Sequence, residues 1–268
     1  MDASKHRLKI GLALGSGGVR GMAHIGVIKV LEKADIPIDY IAGSSMGAIV
    51  GGVYAFRRDI KSVENAALSV GWKEAISLID LSIKQGLVKG AKLERFLRHQ
   101  VGFVEMEQLQ IPLNIVATDL ATGQMVCLDK GDLVEAIRAS ISVPLVFKPV
   151  DYHGRTLADG GLSMPVPVEI VRKMGADVVI AVNIEGDLFD HRSNSRWGFA
   201  TVARASIDAL RFHLAKQEAD TADIVITVHS RGDRLIEEVT WDVKKLISTG
   251  ERYANAALPE ILKRLEGF

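Results

Sequence analysis

The feature that most constrains this chain is a rhythm. Short apolar runs, several of them closed by glycine, are each followed by a longer stretch with helical spacing. Leu8 to Leu14 reads as a buried strand, being short, apolar and stopped by glycine. A helix follows from about Gly21 to Ala34, with Ile25, Ile28 and Leu31 in register. Ile38 to Ala42 reads as a second strand and Met46 to Phe56 as a second helix. Ile111 to Ala117, Val178 to Ile184 and Ile224 to Val228 are further strands, whereas Leu133 to Ala139, Pro167 to Met174 and Thr201 to Ala219 have helical spacing. Strands alternating with helices predict an α/β protein, a three-layer α/β/α arrangement with a mostly parallel central sheet. No linker, internal repeat or low-complexity tract interrupts the pattern, so residues 1–268 are expected to form a single domain. Its motif-bearing core spans about residues 8–185, with C-terminal helices and a last strand over about 195–268. Around Asp187 to Gly198, where Asp, His, Arg, Ser and Asn accumulate, a mobile segment is expected.

Composition narrows the function classes. A formal net charge of zero and the lack of any Lys/Arg block argue against nucleic acid as a partner. The lone cysteine, Cys127, rules out an internal disulfide framework and fits a reducing compartment. Lys5, Arg7 and Lys9 precede only Ile10 to Leu14 before the glycines, too short a run for a signal-peptide core. No apolar run of about 18 residues exists to span a bilayer. The expectation is a cytoplasmic protein, with peripheral attachment at the inner membrane surface and a homodimer both left open.

In "LALGSGGVRGMAH", Gly15, Gly17, Gly18 and Gly21 fall within seven positions, between a strand and a helix. A dinucleotide loop needs G-x-G-x-x-G and an acidic residue about 20 positions on, at the end of the second strand. Here Arg20 occupies the sixth position, and Asp39 stands at the start of the second strand. A P-loop needs Gly-Lys-Ser/Thr where this chain has Arg20-Gly21-Met22. Both phosphate readings fail on the residues that carry the mechanism.

"IDYIAGSSMGAIVGG" offers another use for bare amides. Gly43-Ser44-Ser45-Met46-Gly47 matches G-x-S-x-G, with an apolar strand before it and a small-residue helix after it. A serine on so sharp a turn needs glycine neighbours, here Gly43 and Gly47, to avoid strand and helix. The helix N-terminus then favours negative charge beside Ser45. Attack on a carbonyl creates an oxyanion that needs preorganised donors, and the Gly17 and Gly18 amides are open to a substrate oxygen. Without further chemistry, the same residues would serve only as a turn and an N-cap.

The base is less evident. His213 lies among Leu210, Phe212 and Leu214, His191 in a polar loop, and His99 at a helix end beside arginines. None of the histidines beyond Ser45, which include His153 and His229, is flanked by small residues that would admit a close loop. His24 reads as a packing or capping residue. Asp159 precedes Gly160-Gly161 after a short apolar strand, although an isolated D-G is ordinarily just a turn.

GSGGVRG with H-x-G, then GSSMG, then DGG, in this order and with "EAIRASISVPLVFKPV" ahead of Asp159, resembles the patatin-like phospholipases over about residues 8–185. The resemblance extends to the single-domain bacterial members. The resemblance implies a patatin-like fold and metal-independent, cofactor-free hydrolysis of lipid acyl esters by a Ser–Asp dyad. Ser45 would be the nucleophile and Asp159 the general base. Ser16, Gly17 and Gly18 would form the oxyanion hole, Arg20 would brace that loop, and Gly160 would let the Asp159 loop approach. An exposed aspartate is a feeble base, so Asp159 is expected to be buried and within hydrogen-bond reach of Ser45 Oγ. The chain departs from the family pattern at Ser16, where glycine is common, and at Met164, where asparagine is usual.

An acyl chain needs an apolar cleft, for which Met22, Met46, Leu145, Phe147, Leu162 and Met164 are candidates, each equally suited to core. Phe199, Ala203, Ile207, Leu210 and Leu214 have helical spacing and are expected to pack on the sheet, with a lid, a dimer interface or a membrane contact as the alternatives. The expected substrate is a phospholipid or lysophospholipid ester. The competing reading is a lipid-binding or regulatory protein of the same fold with weak hydrolysis.

Overall fold

The computed structural model describes residues 7–69, 90–186, 198–229 and 242–266. The expected mobile segment around Asp187 to Gly198 lies outside these apart from Gly198, as does His191. The elements are β1 (Ile10–Leu14), α1 (Ala23–Lys33), β2 (Tyr40–Ser44), α2 (Met46–Arg57), α3 (Ile60–Leu68) and α4 (Ala91–Val101). Next come β3 (Leu113–Asp119), β4 (Met125–Leu128), α5 (Leu133–Ser140), β5 (Val150–Tyr152), β6 (Arg155–Asp159) and α6 (Val168–Lys173). The described chain closes with β7 (Val178–Asn183), α7 (Phe199–Ala219), β8 (Ile224–Thr227) and α8 (Val243–Glu266). No helix among the described residues is long and apolar enough to cross a membrane.

One sheet runs β5-β6-β3-β2-β1-β7-β8, with β4 also paired to β3. The β3-β2-β1-β7-β8 part is parallel, whereas β4, β5 and β6 pair antiparallel. Large residues of β1 and β7 (Ile10, Leu12, Leu14, Val178, Ile180, Val182) pack on the side that holds α1, α2, α3, α4, α5 and α8. Ala13, Ala42 and Ala181, with Val116 and Val179, face α6 and α7. Period-2 alternation sends successive side chains to opposite faces, so both faces of the sheet are apolar and each is covered by helices. Helix α2 is buried from Met46 to Ala55, as expected of a helix without a polar face.

Two features of the topology create the site. Strand β1 lies between β2 and β7, so the chain leaves β1 on one side first and returns on the other much later. Open α/β sheets place their sites at the carboxyl ends of strands where the order switches in this way. The second feature lies on β3. Ile115 and Val116 pair with both β2 and β4, and Ala117 and Thr118 with both β4 and β6. A strand residue has only two lateral neighbours, so β4 takes one edge while β2 and β6 succeed one another along the other. Ser44 opposes Val116 and Asp159 opposes Ala117, so the residue after β2 meets the last residue of β6.

Candidate active site

Ser45 joins β2 to α2 with φ 54° and ψ −117°, a conformation that L-residues avoid. Such strain costs about 1–3 kcal/mol and persists only where the surroundings over-determine it. Here the Ser45 amide donates to Ser140 Oγ at 2.9 Å, and its carbonyl accepts from the Ala48 amide at 2.9 Å. A Cβ on Gly43 would stand 2.6 Å from the Gly47 carbonyl oxygen, and one on Gly47 would collide with the Leu14 carbonyl. The flanking glycines are thus required by the crowding of β1, the elbow and the first turn of α2.

Ser45 Oγ donates to Asp159 Oδ2 at 2.6 Å, while Asp159 Oδ1 accepts from the Gly161 amide at 2.8 Å. Asp159 is 2% exposed, which meets the two conditions of burial and reach. Burial pushes its carboxyl above the ordinary aspartate range; the Ser45 hydroxyl, the Arg211 charge and the Gly161 amide oppose this without cancelling it. The loop is held without an asparagine at 164. Asp159 donates its amide to Ser142 O at 3.1 Å, Thr118 Oγ1 donates to Asp159 O at 2.8 Å, and the Met164 amide donates to Gly160 O at 3.0 Å.

The glycine loop follows β1. Its Gly15 amide donates to Val182 O at 3.0 Å and its Ser16 amide to Pro165 O at 2.8 Å. The expectation for Ser16 is therefore corrected: its N–H is committed to the fold and is not available to an oxyanion. The Gly17 and Gly18 amides have no acceptor among the described residues. Gly18, with φ 56°, has open space where a side chain would stand. His24 Nε2 donates to Gly15 O at 2.7 Å. Burial pushes the His24 imidazole down to about 4, so the ring is neutral and ties the loop as a cap rather than serving as a base.

A family model described as patatin-like phospholipase matches residues 12–172. The chain belongs to the patatin-like phospholipase family. An uncharacterised NTE family protein of Mycobacterium tuberculosis is 45% identical over 179 residues, 66% of this chain and 49% of that one. Lysophospholipase NTE1 of Candida albicans is 34% identical over 181 residues, 65% of this chain and 13% of its own. The chain thus spans about half the length of the mycobacterial relative and a small part of the fungal one. Two solved structures share the fold. VipD of Legionella pneumophila superposes with a TM-score of 0.53 at 13% identity, covering 95% of this chain and 67% of that one. ExoU–SpcU, from the type III secretion system of Pseudomonas aeruginosa, gives 0.54 at 16% identity, covering 96% and 52%.

Within this patatin-like fold, several residues that sequence reasoning overlooked stand around Ser45 and Asp159. Arg20 reaches Glu185 Oε2 at 3.2 Å, and Arg211 Nε stands 3.0 Å from Glu185 Oε1. Glu185, just beyond β7, is 1% exposed. Ser140 and Ser142, inside the segment that carried part of the resemblance, hold the Ser45 and Asp159 backbones. A polar residue directly after an apolar strand was the available signal for Glu185; nothing in the sequence pointed to Arg211.

The remaining candidates divide. Met22, Met46 and Phe147 are buried core, Leu162 and Met164 are half-buried, and Leu145 is 43% exposed with φ 68°. The apolar stripe on α7 does not pack wholly on the sheet as expected. Asp208, Ala215 and Ala219 form its buried face, whereas Phe199 is 90% and Leu210 75% exposed. Neither His99, His153, His213 nor His229 hydrogen-bonds Ser45 or Asp159 among the described residues. Among those residues, too, no three of His, Cys, Asp and Glu converge to hold a metal ion.

Proposed function

We propose that the chain is a serine acyl hydrolase cleaving lipid acyl esters, of phospholipid or lysophospholipid, through a Ser45–Asp159 dyad. The observation that carries this reading is the 2.6 Å bond from Ser45 Oγ, on a strained turn, to a buried carboxylate. Asp159 accepts the hydroxyl proton as Ser45 Oγ attacks the ester carbonyl carbon. The carbonyl oxygen becomes an oxyanion facing the Gly17 and Gly18 amides, where one donor is worth roughly two to three orders of magnitude in rate. Collapse breaks the ester C–O bond, and the departing alcohol takes the proton back from Asp159. Water then attacks the acyl-Ser45 ester, again giving its proton to Asp159, and the fatty acid leaves with Ser45 restored. A raised carboxyl pKa makes Asp159 a better proton acceptor than a solvated aspartate.

Family membership supports the lipid substrate class, as does the name lysophospholipase borne by the fungal relative. The exposed Phe199, Val202 and Leu210 on α7 support contact with a lipid surface, and the free Cys127 thiol supports a reducing, cytoplasmic setting. Burial pushes Cys127 up to about 11, so it is no competing nucleophile at neutral pH.

Hydrolysis of a lysophospholipid in vesicles and of a short-chain nitrophenyl ester tests the reading. Ser45→Ala is expected to fall to background, and Asp159→Asn to lose about 10²–10⁴-fold in kcat/KM. Full activity in Ser45→Ala contradicts the dyad. No turnover by the wild type, with lipid still bound, supports instead the lipid-binding alternative.

A further inference from the structure

The mechanism above uses only residues that touch the reacting atoms, yet an ion-pair cluster lies directly behind them. Glu185 sits between two guanidinium groups, Arg20 at 3.2 Å and Arg211 at 3.0 Å. Arg211 is also 3.4 Å from Asp208 Oδ1 on the same helix. Arg20, Glu185 and Asp208 are all buried. Isolated buried charges are costly, so such a cluster endures only with its members matched, and removing one leaves the rest uncompensated.

The cluster joins three parts of the chain that meet at the dyad. Arg20 belongs to the glycine loop, Glu185 follows β7, and Arg211 lies on α7. Ser16 Oγ adds a contact to Glu185 Oε1 at 3.5 Å. We propose that Arg211 is a positioning residue for the dyad: through Glu185 and Arg20 it fixes the glycine loop, and its charge holds the Asp159 carboxylate ready to accept the Ser45 proton. This inference rests on the proposed dyad and extends it to a residue that touches neither substrate nor nucleophile.

The groups facing Asp159 make the expected signs definite. From α7, Arg211 favours the carboxylate; from beyond β7, Glu185 disfavours it. From the elbow and the Asp159 loop, the Ser45 hydroxyl and the Gly161 amide favour it. On α5, the Arg138 guanidinium is engaged by Ser142 Oγ at 2.7 Å and by the Lys148 carbonyl at 3.2 Å. On β3, Asp119 accepts the Ala121 amide at 2.9 Å in its own turn. Arg211 itself faces Glu185, Asp159 and Asp208. Removing the Arg211 charge is therefore expected to make Asp159 hold its proton to higher pH, and removing the Glu185 charge to do the opposite.

The test is the pH dependence of kcat/KM on a nitrophenyl ester, whose acid limb reports the essential base of the free enzyme. Arg211→Met is expected to lower kcat/KM and move the acid limb to higher pH. Arg211→Lys restores most of the limb position, since it keeps the charge. Glu185→Gln lowers the rate as well, through release of Arg20 and the glycine loop, yet moves the limb down. The double variant Arg211→Met/Glu185→Gln removes one charge of each sign from the cluster and places the limb between the two singles. An acid limb unmoved in Arg211→Met, or moved the same way in both single variants, overturns the proposal. Ser45→Ala run in parallel separates the two claims: if it retains activity, the dyad itself is wrong, whatever Arg211 does.

Discussion

At the residue scale, Ser45 holds a backbone conformation that residues with a side chain avoid. Its φ of 54° is held by Ser140, by the first turn of α2 and by the close packing of Gly43 and Gly47. Glycine adopts this conformation freely, whereas alanine retains the strain without the hydroxyl. Ser45→Gly is therefore expected to be more stable than Ser45→Ala by about 1 kcal/mol in chemical denaturation, with both inactive. Equal stability would mean that the elbow is not strained. The meeting of Asp159 with Ser45 was legible in the sequence because each sits in a local motif whose glycines announce a close approach. Arg211 and Ser140 were not, because their partners lie far along the chain and an isolated Arg or Ser has an ordinary surface reading; Glu185 left only the signal of a polar residue directly after an apolar strand. Ser16 shows the reverse: its amide looked open from the motif alone and is taken by Pro165.

At the element scale, α7 grips both loops of the site. Arg211 reaches the glycine loop through Glu185, and two turns further on Glu218 Oε2 accepts the Val166 amide at 2.7 Å, in the loop that follows Asp159. Burial pushes the Glu218 carboxyl from its ordinary 4.5 up to about 8; the Val166 bond opposes this and the Glu169 charge adds to it. The folded state thus keeps a proton that the unfolded chain releases above pH 4.5. Stability from this group is full at low pH and declines as pH rises from 4.5 through 8. Glu218→Gln keeps an acceptor for Val166 and removes the titration. Its Tm advantage over wild type is expected to grow between pH 5 and pH 8, and a constant difference would show that Glu218 is solvated. The inner parallel strands and several helices could be read from periodicity, with boundaries shifted by about two residues at β2 and β3. The α7 stripe misled because Phe199 and Leu210 face outward and Ala203, Ile207 and Leu214 are only half-buried, while Asp208 and Arg211, paired with charge, take inner positions.

At the scale of the whole molecule, the site is a product of strand order. The glycine loop, Ser45 and Glu185 follow β1, β2 and β7, three adjacent parallel strands, and Asp159 arrives because β6 continues the edge of β3 that β2 leaves. The alternating pattern predicted the parallel part, but no periodicity signals that an antiparallel strand will abut the end of a parallel one. That placement comes from pairing on both edges of β3, a tertiary property. The proposed chemical consequence, a nucleophilic Ser45, is tested most directly by treating the folded protein with a fluorophosphonate and mapping the adduct by peptide mass spectrometry. The account predicts one phosphonyl group per chain on Ser45, absent in Ser45→Ala and strongly reduced in Asp159→Asn. Modification of another residue, or equal labelling of Asp159→Asn and wild type, would contradict it.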